Sequence, residues 1–185
     1  MKTNEERLEG LFQHLDSLDH IKVEDIPQID LYMDQVTTFM EKHLGELKRY
    51  PEDKVLTKTM INNYAKNNLL PSPVRKKYTQ DHILLLVFIY YFKNLLNFND
   101  IETILSYITE HHFGEAPLPL SQVYTEVFTM EHSQMDKLKD DVKAKFETES
   151  LPVSVIDMTD YGTMNGEKVL KTAIKLIKAS KASNA

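Results

Sequence analysis

Eight side chains between positions 58 and 77 are of types, and at spacings, suited to gripping a nucleic acid. Lys58, Thr59, Asn62, Asn63 and Lys66 recur at the three- and four-residue steps that place side chains on one side of a helix. Arg75, Lys76 and Lys77 follow as an unbroken basic run. A carboxamide offers a donor beside an acceptor, so Asn62 and Asn63 suit the N6/N7 edge of adenine in a major groove. Lys58, Lys66, Arg75, Lys76 and Lys77 suit phosphates, whose contacts set register and supply salt-dependent affinity. Surface helices more often carry Glu and Lys in pairs. The bland reading is that the amides are solvated or cap backbone, and that the basic run is an ordinary charged loop.

Charge is distributed in favour of the sharper reading. From Glu46 to Gln80 there are eight Lys or Arg against three Asp or Glu, a balance of +5. The whole chain carries −6, so the remainder carries −11. One basic segment on an acidic body is the electrostatic footprint of a local phosphate-binding face. The 185 residues include no cysteine, which excludes disulfides, thiolate metal sites and cysteine catalysis, and fits a reducing cytoplasmic setting. The first nine residues are charged and lack the apolar segment of a signal peptide.

The elements that must position these residues read as helices. Leu8, Leu11, Phe12, Leu15 and Leu18 form a short amphipathic stripe before the break at Pro27. Asp30 is the expected cap of a helix whose apolar side is Tyr32, Val36, Phe39, Met40 and Leu44, with Gly45 as its stop. After a polar connection containing Pro51, Thr57 is placed to cap a helix running to about Asn68, with Met60, Ile61, Tyr64 and Ala65 inward. Pro71 and Pro73 keep the next stretch extended. Thr79 caps a helix to about Asn97 that contains ten apolar residues, Ile83 to Phe92. A membrane span needs about 20, so this segment is expected to be buried in protein. Asn99 or Asp100 opens a further helix with Ile101, Ile104, Leu105 and Ile108 on one side.

Gly114 to Leu120 reads as a boundary, and Ser121 as the cap of a long helix to about Thr148. Its stripe is Val123, Tyr124, Val127, Phe128, Met135, Leu138, Val142 and Phe146. Leu151 to Ile156 suits a short strand or a linker. A closing helix from about Gly166 has Val169, Leu170, Ala173, Ile174 and Ile177 inward and a lysine face outward. That lysine face is better explained by a packing or dimer helix than by a membrane surface.

Two helices, a basic extended element and two more helices follow the order of a winged helix-turn-helix. The stretch from Thr57 to Pro71 resembles the recognition-helix segment of MerR-type regulators, with Tyr64, Asn68, Leu69, Leu70 and Pro71 at the family's places. Lys76 and Tyr78 match the basic residue and tyrosine that end the family's wing, and Asn97 to Ile101 resembles its turn into the fourth head helix. With Asp30 to Val36, the pattern is similar to bacterial proteins defined only as a domain of unknown function with a MerR-like head. Asn62 stands where such heads carry arginine, and Asn68 where they carry glycine. The resemblance implies an all-α fold with at most a minimal β wing, a cytoplasmic homodimer and double-stranded DNA as partner.

The resulting organisation is an N-terminal helix and linker at 1–28, a MerR-like head at 29–113 and a C-terminal helical dimerisation or effector region at 114–185. The expected function is a non-enzymatic DNA-binding transcriptional regulator without cofactor or metal. The effector is not specified. A protein-interaction module that keeps the fold without binding DNA is the alternative. His111 and His112 point about 100° apart on a helix and read as a helix-end pair, while Asp157 and Asp160 read as turn chemistry. No Walker, GxSxG or HExxH pattern supports an enzyme.

Overall fold

The computed structural model of the protein describes residues 6, 8–10, 12–13, 20–48, 52–93 and 95–149, the last five by backbone alone. Residues 21–126 form one compact unit, and the described residues before 21 and from 127 to 149 belong to a second. The described elements are β1 (Leu31–Tyr32), α1 (Met33–Leu44), α2 (Lys58–Lys66), β2 (Lys77–Tyr78), α3 (Gln80–Phe92), α4 (Phe98–His112) and α5 (Leu120–Glu149). Short 3₁₀ turns occupy Val23–Asp25 and Gly45–Leu47. The fold is therefore all-α, and among the described residues the sheet is a two-stranded one, β1 antiparallel to β2. No described helix is long and apolar enough to cross a membrane.

Within the unit at 21–126, α3 is the post around which the rest packs. It is apolar almost all round, and such a helix must be covered on every side. Every residue from His82 to Tyr90 is buried, as is Phe92. Fully burying one Leu, Ile or Val contributes about 1.5–3 kcal/mol before the entropy of ordering, so this helix anchors the core. β2 and α4 pack on it. The ring of Tyr124, in the first turns of α5, lies 5.3 Å from that of Phe88. The Tyr124 hydroxyl donates a 2.6 Å hydrogen bond to the Ile21 carbonyl, which ties the end of the unit to its beginning. α1 adds Val36, Met40 and Leu44, all fully buried at four-residue steps.

Several element ends differ from the sequence expectation. Asp30 does not cap α1. The chain stays extended through Leu31 and Tyr32, the Tyr32 N–H donates to Gln35 Oε1 at 2.8 Å, and α1 begins at Met33. Alternation in this extended pair sends Leu31 inward and leaves Tyr32 55% exposed, so Tyr32 is not part of the buried stripe. Gly45 keeps a right-handed φ of −62° and leads into the following 3₁₀ turn, so it is not a left-handed stop. α2 ends at Lys66, short of Asn68. α3 ends at Phe92, short of Asn97, and the Leu95 and Leu96 N–H groups bond to the Phe92 carbonyl in the turn that follows. Asn97, not Asn99 or Asp100, caps α4, its side chain accepting from the Asp100 N–H at 3.1 Å. α5 starts at Leu120, with the Pro119 carbonyl taking the first N–H bonds in place of a Ser121 cap.

In the second unit, Glu6, Leu8 to Gly10, Phe12 and Gln13 are helical and Leu8 is buried. Val127, Phe128, Met135, Leu138 and Val142 of α5 are buried as the stripe predicts, and the Phe128 ring stacks on His20 at 4.6 Å. Leu11, Leu15, Leu18 and the Phe146 side chain lie outside the described residues. So do the strand or linker at 151–156, the acids at 157 and 160 and the closing helix from 166.

His82 joins the sheet to the core. Its Nδ1 accepts the Thr79 N–H at 3.0 Å, which closes the start of α3 and leaves the neutral ring's proton on Nε2. The rings of Tyr78 and Phe113 stand edge-on to it at 5.5 and 4.9 Å. Nε2 is buried without a hydrogen bond of good geometry, although the Pro71 carbonyl is close enough to favour a protonated ring. Burial is the largest influence and pushes His82 below the usual histidine range, with the Pro71 carbonyl and the Asp30 charge partly opposing it. The unfolded chain therefore takes up this proton at a higher pH than the folded one. The stabilisation is complete above the unfolded value of about 6.5 and is lost as pH falls from there through the folded value. Thermal melts from pH 7.5 to 5 are expected to show this loss in the native chain, and a shallower one in His82→Gln. Equal pH dependence in the two proteins would refute the assignment.

Candidate nucleic-acid interface

α2 presents the sequence-predicted face to solvent. The Thr57 hydroxyl accepts the Met60 N–H at 3.2 Å, which satisfies one of the free donors of the helix start. Ile61 is completely buried, and Met60, Tyr64 and Ala65 are half-buried beside it. Lys58, Thr59, Asn62, Asn63 and Lys66 are all exposed. Among the described residues, the Asn62 and Asn63 side chains have no hydrogen-bond partner, so their amides stay open to an outside ligand. The helix stops in a Schellman turn, with Leu69 N–H bonding the Tyr64 carbonyl at 2.9 Å and Asn68 N–H the Ala65 carbonyl at 3.4 Å. Asn68 takes the left-handed position of that turn at φ +59°, and the buried Leu69 fixes the exit.

The connection from α1 holds α2 in place. Glu41 on α1 pairs with Lys48 at 2.6 Å and accepts the Val55 N–H at 3.4 Å. The bond to Lys48 is the main reason its carboxyl lies below the usual range. Lys93, just past α3, donates to the Val55 carbonyl at 2.8 Å. Val55 and Leu56 are buried behind these bonds. An open cleft beside them is lined by Thr37, Thr38, Glu41, Lys48 and Asp53 among others, charges of both signs with no nucleophile–base pair.

The basic run forms the tip of a hairpin. Lys77 N–H bonds the Val74 carbonyl at 3.0 Å across a two-residue turn made by Arg75 (φ +52°) and Lys76 (φ +63°). Positive φ at both central residues is the signature of a type I′ turn. Such a turn favours Asn-Gly because Gly has no Cβ to clash and the short polar Asn side chain tolerates the left-handed region better than long side chains do. Two long cations therefore occupy positions where they cost the fold stability, and Arg75, Lys76 and Lys77 are all exposed. Strain retained at one point on a surface marks a functional constraint more often than chance does.

Hairpin and helix meet at the start of α1. Tyr32, the residue before α1, pairs with Lys77, whose Nζ lies 5.8 Å from the Tyr32 ring centre. Two residues on, Asp34 forms an ion pair with Lys58 at the start of α2. Lys77, Tyr32, Asp34 and Lys58 thus form a continuous exposed line from the hairpin to α2. Lys66 sits at the other end of α2, eight residues or about 12 Å along its axis from Lys58. Sequence reasoning missed Asp34, Tyr32 and Val74. Asp34 matters because it already neutralises Lys58 in the free protein. The only hint to Tyr32 was alternation at Leu31–Tyr32, which is too short to read as a strand.

The histidines do not form a second centre. The His111 ring stacks on Tyr107 at 4.3 Å and its Nδ1 is 2.9 Å from the Tyr107 carbonyl, while His112 Nδ1 meets the Leu118 carbonyl at 2.9 Å. Both close the end of α4. Among the described residues, no three His, Asp or Glu side chains are grouped to hold a metal ion.

A family model, Domain of unknown function (DUF1836), matches residues 21–127. The matched span coincides with the compact unit at 21–126, so it contains the whole of this surface. No curated protein and no solved structure matches the chain.

The strained turn generates a stability prediction. Arg75→Asn/Lys76→Gly supplies the residues a type I′ turn favours and is expected to raise stability by about 1–2 kcal/mol in denaturant melts. A variant no more stable than the native chain would show that the two cations carry no conformational cost.

Proposed function

We propose, for a chain that belongs to the DUF1836 family over residues 21–127, a role as a DNA-binding transcriptional regulator with a MerR-like winged helix-turn-helix head at 29–113. α2 would enter the major groove, with Asn62, Asn63 and Thr59 at base edges. Lys58, Lys66, Arg75, Lys76 and Lys77 would hold phosphates on either side. The observation that carries the reading is the strained pair Arg75–Lys76, cations kept at a turn that disfavours them, beside a helix whose amides have no partner in the described protein. The left-handed Asn68 adds to it, because that conformation suits the glycine that MerR-type heads carry at this place. The rest of the proposal is a cytoplasmic homodimer in which residues 114–185 dimerise or receive a signal, without an enzymatic step.

One observation favours the second reading, a protein-interaction module on the same fold. Asp34 pairs with Lys58 and places an acid inside the basic face. On the DNA reading this pair is an intramolecular competitor that phosphate must displace.

Fluorescence anisotropy of a labelled random duplex over a salt series separates the two. The native chain is expected to bind at low salt and weaken steeply as salt rises. Arg75→Asn/Lys76→Gly removes two phosphate contacts and is expected to lower the slope of log K against log salt by about 2. Asp34→Asn frees Lys58 and is expected to tighten binding. Absence of native binding at low salt, or an unchanged slope in the hairpin variant, favours the interaction module.

A further inference from the structure

The hairpin has a second face that the phosphate reading leaves unused. Tyr32 stands directly opposite Lys77 in the sheet, and Lys77 directly opposite Val74 in the hairpin. Residues directly opposite one another in antiparallel strands point to the same side of the sheet, with Cβ atoms about 5 Å apart. Tyr32, Lys77 and Val74 therefore stand in one row. Leu31 and Tyr78, the next pair, point the other way and are buried. The row faces solvent, with Tyr32 55% and Val74 74% exposed, an aromatic and a branched aliphatic side chain on either side of a lysine. In the free protein Lys77 Nζ lies 5.8 Å from the centre of the Tyr32 ring, so its charge rests against the aromatic side of the row.

A cation flanked on both sides by apolar groups matches one polymer surface well. Along a nucleic-acid strand each phosphate is flanked by the apolar faces of two sugars. A neutral peptide strand offers no periodic charge to the lysine, and an acidic helix offers charge without regular apolar faces between. The adjoining Arg75 and Lys76 extend the positive charge at the hairpin tip, so the partner must be anionic over more than one group. Resting on the DNA-binding reading above, we propose that Tyr32, Lys77 and Val74 dock on the sugar–phosphate rail of duplex DNA. Lys77 takes a phosphate, and the Tyr32 ring and the Val74 isopropyl group pack on the neighbouring deoxyriboses. The contact supplies a share of affinity that salt does not remove.

The test uses the full chain and a labelled random duplex, comparing Tyr32→Thr, Val74→Thr and Tyr32→Phe across a salt series. Threonine is a good strand former and nearly isosteric with valine, so both Thr variants keep the sheet. Melts confirm that they are folded. The Thr variants are expected to bind roughly fivefold or more weakly at every salt concentration with the native salt slope, since they lose apolar contact and no charge. Tyr32→Phe keeps the ring and is expected to bind like the native chain. Native binding that neither Thr variant weakens overturns this proposal and leaves the phosphate face standing. Weakening accompanied by a smaller slope also overturns it, because the loss would then be ionic. A native chain that fails to bind duplex at low salt overturns both readings.

Discussion

The surface between α1, α2 and the hairpin depends on the two-pair ladder that joins Leu31–Tyr32 to Lys77–Tyr78. Two residues on each side are far too few to form an isolated sheet in water. The ladder persists because its inner pair, Leu31 and Tyr78, is buried and β2 packs directly on α3. Burial of that pair has two consequences. It sets the start of α1, since the chain cannot become helical until it has left the strand. It also sets which side of the hairpin is wet, and so where Lys77, Tyr32 and Val74 are presented.

The same burial makes the strained turn tolerable. A hairpin tip with two left-handed residues that carry a Cβ costs about 1–2 kcal/mol per residue relative to right-handed backbone. An isolated hairpin would escape that cost by opening. Here the strand that leaves the turn is held by the core within two residues, and Lys77 is already in the ladder. His82 reinforces the hold from below, because its bond to Thr79 and its edge-on contact with Tyr78 fix the point where strand becomes helix. Stability of the core and exposure of cations are thus coupled through about five residues of chain, from Arg75 to Thr79.

Much of the helical part was legible because burial imposes a period of 3.6. The outward face of α2 follows from Ile61 as its one fully buried side chain and from Thr57 as its cap. The continuous apolar run from Ile83 marked α3 as the buried post. What was not legible depends on partners distant in sequence. Tyr32 stands four residues before Val36 and so fits the helical stripe. Only pairing with Lys77, 45 residues later, pulls it into a strand and out to solvent. Arg75-Lys76 is the reverse of the Asn-Gly that announces a type I′ turn, so a sequence reading sees a charged loop where there is a defined hairpin. The Lys58–Asp34 pair joins two helix starts whose proximity no local pattern records.

Amide chemical-shift mapping of the full chain with a random duplex at low salt tests the central claim most directly, because it reports which residues meet DNA without removing any of them. The account predicts shifts concentrated at Tyr32, Asp34, residues 58–66 and residues 74–77, fading together as salt is raised. Shifts confined to other parts of the chain, or none at any duplex concentration, would contradict it.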